Sequence, residues 1–331
     1  MSLITFQNNR KLDLIPMGRI GVDLNAVEVN RPIEEVVTFK KTVGGSPANI
    51  AIGASRLGLN VGFIGQVSAD GLGRFCRITM EKENVDTTHI LIDQSGRMNG
   101  LALTEIISPS ECQSILYRDG VADLYMKPED IQREYIEQSK ILLISGTALA
   151  QSPSREATLQ AIEYATESKT KIIFELDYRA YSWQSKEETA HYYQRVAAAS
   201  DIILGTEDEY RALTGTKDHS ELDKSLVARQ MLAKGSELVI IKQGSDGSIG
   251  YAKDEEVIQV KPFRTQVLKT QGAGDAYAAG LICGLINGWS IKNAMEYGSA
   301  TASIVVSRNS CSEAMPTNDE VIAKMETSKT T

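Results

Sequence analysis

At 331 residues, with 42% hydrophobic and 24% charged side chains, the chain can build one large α/β core plus an accessory element rather than several independent domains. A net charge of −8 with no lysine- or arginine-rich block argues against nucleic acid as a partner, and no apolar run approaches the length needed to cross a bilayer. The opening Met1-Ser2-Leu3-Ile4 has neither the basic start nor the long apolar stretch of a signal peptide, so the cytoplasm is the expected compartment.

In chain order, short apolar runs alternate with amphipathic segments of helix length. A strand is expected over 12–18, and residues 23–41 then break the pattern. Next, Val43-Gly44-Gly45-Ser46-Pro47-Ala48-Asn49-Ile50-Ala51 runs from two glycines into a helix expected over 48–57. Gly44 and Gly45 allow close approach of backbone to a ligand, and Asn49 offers a donor and an acceptor one turn inside, which suits a polyol. The same residues also fit a tight turn with Asn49 on a helix surface. After a strand at 61–65, residues 97–119 break the alternation again, and 100–107 and 113–117 read as paired strands.

Strands at 141–145, 171–176, 201–204 and 238–242, with helices at 154–167, 186–199, 225–234 and 275–287, restore the alternation. Such runs describe a parallel sheet covered on both faces, with right-handed crossovers. Ile173-Phe174-Glu175-Leu176-Asp177-Tyr178-Arg179 puts Asp177 and Arg179 at the C-terminal end of a strand, the edge where open α/β sheets bind ligands. Arg179 is therefore a candidate carboxylate fork. Cys76, Cys112, Cys283 and Cys311 share no paired spacing and His89, His191 and His219 are the only histidines, so no Cys/His metal site is expected and a general base is expected to be a carboxylate.

The run with the most chemistry is Thr270-Gln271-Gly272-Ala273-Gly274-Asp275, followed by Ala276-Tyr277-Ala278-Ala279-Gly280. Gly272, Ala273 and Gly274 leave backbone N–H groups free at a helix N-terminus, which attracts anions. Asp275 stands at the mouth of that turn, where a carboxylate takes a proton from an attacking hydroxyl. Cradle and base together point to phosphoryl transfer. Taken alone, the run is equally a strand-to-helix turn with Asp275 as a first-turn acid.

The Gly44-Gly45…Asn49 and Gly272-Ala273-Gly274-Asp275 motifs, one near each end, resemble the two signatures of the ribokinase-like (PfkB) carbohydrate kinases, and the resemblance spans nearly the whole chain. It implies an α/β, ribokinase-like three-layer fold with a mostly parallel central sheet, helices on both faces and a small β-lid. The core would comprise 1–22, 44–96 and 120–331, and the lid 23–43 and 97–119. ATP and a small-molecule sugar are the implied partners, with magnesium as cofactor. Asp23, in Gly18-Arg19-Ile20-Gly21-Val22-Asp23-Leu24, resembles the acid ending the family's first strand, which binds sugar hydroxyls.

Lys242-Gln243-Gly244-Ser245-Asp246-Gly247 resembles the strand and turn along the nucleotide, which carries Lys242, Gly244 and Gly247 into that role. Thr206-Glu207-Asp208-Glu209 resembles the family's Asn-x-x-Glu element, with Thr206 where Asn is usual and Glu209 keeping the acid that organises magnesium through water. Lys269 departs further, standing where most members have an Asp that helps form a monovalent cation site. A lysine there argues against potassium activation, unless it points to solvent.

Tyr117-Arg118 lies in a segment resembling the family's sugar-acid kinases, and with Arg179 it points to an anionic sugar, a six-carbon keto-deoxy acid phosphorylated on C6. Which acid, spacing leaves open; for each arginine the alternative is a solvated charge. Closure of the lid would exclude water from the phosphoryl group, and pairing of two copies through exposed lid edges is a further expectation. Residues 310–331, with a turn at Met315-Pro316-Thr317, are expected over the adenine side. A neutral-sugar kinase and a sugar sensor on a kinase fold stay open; a dinucleotide oxidoreductase fails on the spacing of Gly18 and Gly21.

Overall fold

The computed structural model describes residues 4–108, 111–217, 220–253 and 257–329. The chain begins with β1 (Leu12–Met17), β2 (Gly21–Ala26), β3 (Phe39–Gly44), α1 (Ser46–Arg56), β4 (Val61–Ser68), α2 (Gly71–Lys82), β5 (Val85–Asp93), β6 (Leu101–Ser108) and β7 (Glu111–Tyr117). It continues with α3 (Arg133–Ile136), β8 (Ser139–Ser145), α4 (Ser154–Ser168), β9 (Lys171–Glu175), α5 (Lys186–Ala197), β10 (Ile202–Thr206), α6 (Glu207–Thr214), α7 (Lys224–Ala233) and β11 (Leu238–Lys242). Last come β12 (Ser248–Ala252), β13 (Ile258–Val260), α8 (Ala273–Ile286), α9 (Ile291–Val305) and α10 (Asn318–Lys329).

Among the described residues, nine strands form one sheet in the order β13-β12-β11-β10-β9-β8-β1-β4-β5. Pairs from β11 through to β5 are parallel, and the β11–β12 and β12–β13 pairs at one edge are antiparallel. The apolar strands bury side chains on both faces. Ile141, Leu143, Ile173, Ile202, Leu204 and Ile240 pack with α1, α8 and α9, while Leu142, Ile144, Ile172, Phe174, Ile203 and Val239 pack with α4 and α5. That alternation with a period of two is what makes three layers. Within one outer layer α8 and α9 approach closely, since a Cβ on Gly280 would lie 2.6 Å from Thr301 Oγ1.

A second, four-stranded sheet has the order β3-β2-β6-β7. The expectation that Asp23 stands at the end of the chain's first strand is corrected here. That strand is β1, which stops at Met17; Asp23 lies inside β2 of the second sheet, opposite Thr42 on one side and Ala102 on the other. The chain changes sheets at Gly18, whose N–H still bonds the Ile64 carbonyl at 3.0 Å. No helix among the described residues is long and apolar enough to cross a membrane.

Candidate active site

Five strands of the main sheet, β1, β8, β9, β10 and β11, are mutually parallel, so their C-terminal ends share one edge. The second sheet faces that edge, and between them lies a cavity of about 500 Å³. Its floor is the start of α8. Gly272 caps that helix in the left-handed region (φ 80°), and Asp275 occupies the helix's first turn. The Ala273 N–H is turned back to the Thr270 carbonyl at 3.3 Å, which leaves the Gly274 and Asp275 N–H groups as the first-turn donors without an intrahelical acceptor.

Asn49 and Asp275 are 226 positions apart in sequence, yet Asn49 Nδ2 donates to Asp275 Oδ2 at 2.7 Å. The two end motifs thus meet in one site. Burial, with Asp177 nearby, raises the pKa of Asp275, against lowering contributions from Asn49, Ser46 and Lys242. Asp23 is pushed up to about 6, mainly by burial, with Arg19 and Lys269 opposing and Asp275 reinforcing. Both carboxyls line the cavity.

Further along the edge, Asp177 holds a positive φ of 33° just past β9. Its carboxylate accepts from Ser145 Oγ at 3.1 Å and pairs with Arg179 at 2.6 Å and Arg19 at 3.7 Å. Burial opposes ionisation of Asp177, but Arg179, then Arg19, outweigh it and lower the pKa. Glu175, the last residue of β9, goes the other way, up to about 8, because burial dominates and the Lys242 ammonium, 3.7 Å away, is too distant to hydrogen-bond it. Ser46 Oγ donates to Glu175 Oε2. Lys242 stays charged: burial works against it, and Glu209, Glu175, Asp275 and Asp177 outweigh burial.

Glu209 is largely committed locally. Its Oε2 accepts from the Thr206 N–H at 2.7 Å and its N–H donates to Thr206 Oγ1 at 3.4 Å, a capping box that starts α6. This explains why Thr serves where Asn is usual. Thr206→Ala is expected to lower unfolding stability by about 1 kcal/mol, and Thr206→Asn by much less, measured by urea denaturation.

Lys269 does not point to solvent. Its exposure is 0%, and Nζ donates to the Gln271 carbonyl at 2.5 Å and to Cys311 Sγ at 3.5 Å, directly beneath the turn that opens α8.

The cavity brings together the predicted Asp23, Gly44, Gly45, Asn49, Arg118, Asp177, Arg179, Thr206, Glu209, Lys242, Gly272, Gly274 and Asp275. Ala273, Gly244 and Gly247 are not among its lining residues. Ala273 turns its N–H inward, and the two glycines belong to the turn beyond β11, past the cavity's end at Lys242. Sequence reasoning gave no role to Arg19, Ser46 or Glu175, which also line it. Arg19 and Glu175 sit at or just past the ends of β1 and β9, so the strand-end rule that picked out Arg179 would have found both. Met315-Pro316-Thr317 leads into α10, where the Thr317 N–H donates to Glu320 Oε2 at 2.9 Å. Residues 330–331 of the tail lie outside the described residues.

A small-residue helix start, an acid in its first turn and a polar cleft under a second sheet define a phosphotransferase of the sugar-kinase class. A family model described as pfkB family carbohydrate kinase matches residues 11–318. The 5-dehydro-2-deoxygluconokinase of Bacillus subtilis (strain 168) is 51% identical over 317 residues, covering 96% of this chain and 97% of that one. Two solved structures agree in fold: a PfkB protein from Polaromonas sp. JS666 (TM-score 0.82, 25% identity, 94% of this chain and 99% of that one), and a sugar kinase from Pyrococcus horikoshii in complex with ATP (TM-score 0.77, 26% identity, 94% and 97%). The chain belongs to the pfkB family of carbohydrate kinases, and it is a sugar kinase.

Proposed function

We propose that the protein transfers the γ-phosphoryl group of ATP to the C6 hydroxyl of 5-dehydro-2-deoxy-D-gluconate, a step of myo-inositol breakdown. The observation that carries the chemistry is the 2.7 Å contact between Asn49 and Asp275, which joins a hydroxyl-binding motif to a base at a helix N-terminus. The acid substrate is supported by arginines on the cavity wall and by 51% identity to a relative of that name.

In this reading Asp23, Gly44, Gly45 and Asn49 hold the sugar hydroxyls, and Arg118, Asp177 and Arg179 form the wall at its acid end. Asp275 accepts the C6 hydroxyl proton as the oxygen bonds to the γ-phosphorus and the bond to the β,γ-bridging oxygen breaks, releasing ADP. First-turn N–H groups after Gly272, and the Lys242 ammonium, meet the growing negative charge. Thr206, Gly244 and Gly247 flank the nucleotide beyond Lys242. Among the described residues no group of three or more His, Cys, Asp or Glu is arranged to hold a metal, which fits magnesium carried on phosphates and water with Glu209 nearby. Bound there, magnesium neutralises phosphate charge.

The buried Lys269 ammonium supports independence from potassium, since a fixed positive charge already holds the Gln271 carbonyl. Turnover is expected to be the same when potassium is exchanged for a bulky inert cation at constant ionic strength; strong activation by potassium would remove this part of the proposal. The second sheet is the proposed lid, built from 23–43 and 97–119, over a core of 1–22, 44–96 and 120–331. Ile115 and Tyr117, exposed on its edge strand, support pairing of two copies there. The proposed setting is the cytoplasm, where ATP is available and free thiols stay reduced.

The test is ADP release with Mg-ATP against 5-dehydro-2-deoxygluconate, 2-dehydro-3-deoxygluconate, fructose and ribose. Preference for the first acid is the expected result. Preference for fructose or ribose would overturn the acid reading, and no ADP with any sugar would leave a sensor.

A further inference from the structure

We infer that Arg19 is the residue that recognises the carboxylate of the substrate and so sets the preference for an acid over a neutral sugar. The inference rests on the sugar-acid reading above and names the group that would enforce it. Arg19 lies two residues past the end of β1, at the ligand edge, and lines the cavity with 13% of its side chain exposed. Its Nε is buried without a hydrogen-bond partner among the described residues, and its nearest acid, Asp177 Oδ2, is 3.7 Å from Nη2. A buried guanidinium N–H with no acceptor is costly unless a ligand supplies one.

The other two arginines on this wall are already committed. Arg179 Nη2 pairs with Asp177 Oδ1 at 2.6 Å and its Nη1 donates to the Tyr178 carbonyl at 3.1 Å. Arg118 Nη2 pairs with Asp123 Oδ2 at 2.7 Å, so its charge is already balanced by a carboxylate of its own. Asp177 therefore faces two guanidinium groups with one negative charge. The guanidinium N–H left without an acceptor belongs to Arg19. A substrate carboxylate accepting from Nε–H and an adjacent Nη–H would satisfy both in the side-on fork that guanidinium geometry favours. A hydroxymethyl group at the same place offers one oxygen and no charge.

The test compares kcat/KM for 5-dehydro-2-deoxygluconate with that for its neutral analogue, in which the carboxylate is replaced by hydroxymethyl, in the unmodified protein, Arg19→Gln, Arg19→Lys and Arg118→Gln. Arg19→Gln is expected to cut the acid-to-neutral preference by about 10- to 100-fold. The loss should appear in KM for the acid, with KM for ATP little changed. Arg19→Lys keeps the charge but loses the fork and is expected to fall between; should Arg19→Gln not fold, an undiminished preference in Arg19→Lys overturns the inference. It is also overturned if Arg19→Gln keeps the full preference, or if Arg118→Gln is the variant that loses it. An unmodified protein that shows no preference for the acid would instead overturn the sugar-acid reading itself.

Discussion

Asp275→Asn is expected to lower kcat by about 10²- to 10⁴-fold, the usual contribution of a general base, while KM for ATP stays close to its original value. The substitution is nearly isosteric. An amide oxygen still accepts the hydrogen bond from Asn49 Nδ2 that the carboxylate accepts at 2.7 Å, so the cleft is expected to keep its shape. What is lost is the ability to take a proton. The pH profile gives an independent reading of the same residue. Burial raises the pKa of Asp275, so its protonated, inactive form persists to higher pH than for an ordinary aspartate. Turnover in the unmodified protein should therefore fall as the pH drops through that raised value, and the limb should be absent from whatever activity Asp275→Asn retains. A variant with near-normal kcat would take the base role away from Asp275.

Gly45→Ala is the second substitution expected to be severe. Gly45 caps α1 with φ 102° and ψ 128°, a backbone shape that L residues rarely adopt. An added Cβ would also sit 2.5 Å from the Arg19 carbonyl oxygen, backbone against backbone, with no flexible side chain to yield. Strain of this kind costs about 1–3 kcal/mol before the clash is added. Relief would have to come from moving the Gly44–Gly45 turn, and with it Arg19, Ser46 and Asn49. Thermal unfolding should show the loss of stability, and KM for the sugar should rise far more than KM for ATP. Gly58→Ala serves as the control, since Gly58 has φ 95° but open space around it: it should show a strain cost and unchanged kinetics. Equal sugar KM values in the two variants would mean that the turn does not shape the sugar site.

Much of this molecule is legible without coordinates because its signals are local. The Gly272-Ala273-Gly274-Asp275 run encodes a left-handed cap and a first-turn acid within four residues, and α8 starts there, two residues ahead of the expected 275. Apolar strands such as Leu238–Lys242 declare burial on both faces by having no polar alternation, and they are central in the sheet. Where the signal is weaker, elements went unread. Edge strand β5 carries a mixed pattern, and α9 is built from small and polar residues such as Gly298, Ser299 and Thr301 that pack by close approach to α8 rather than by an apolar stripe.

The sequence by itself determined the family, the three-layer architecture and the two motifs, because turn chemistry and hydrophobic period depend on residues a few positions apart. Only the tertiary structure decided which charges are spent and which are free. Arg118 and Arg179 are equal to Arg19 as letters, but each finds its acid a few positions away, Asp123 and Asp177, whereas the acid nearest Arg19 comes from the distant β9 end and leaves Nε–H without an acceptor. Lys269 likewise became a buried ammonium on the Gln271 carbonyl, and Asp23 lies inside a strand of the second sheet rather than at a strand's end. The reason is physical: a charge's role depends on what lies within a few ångströms after folding, and the turn at each strand end decides that even for partners close in sequence.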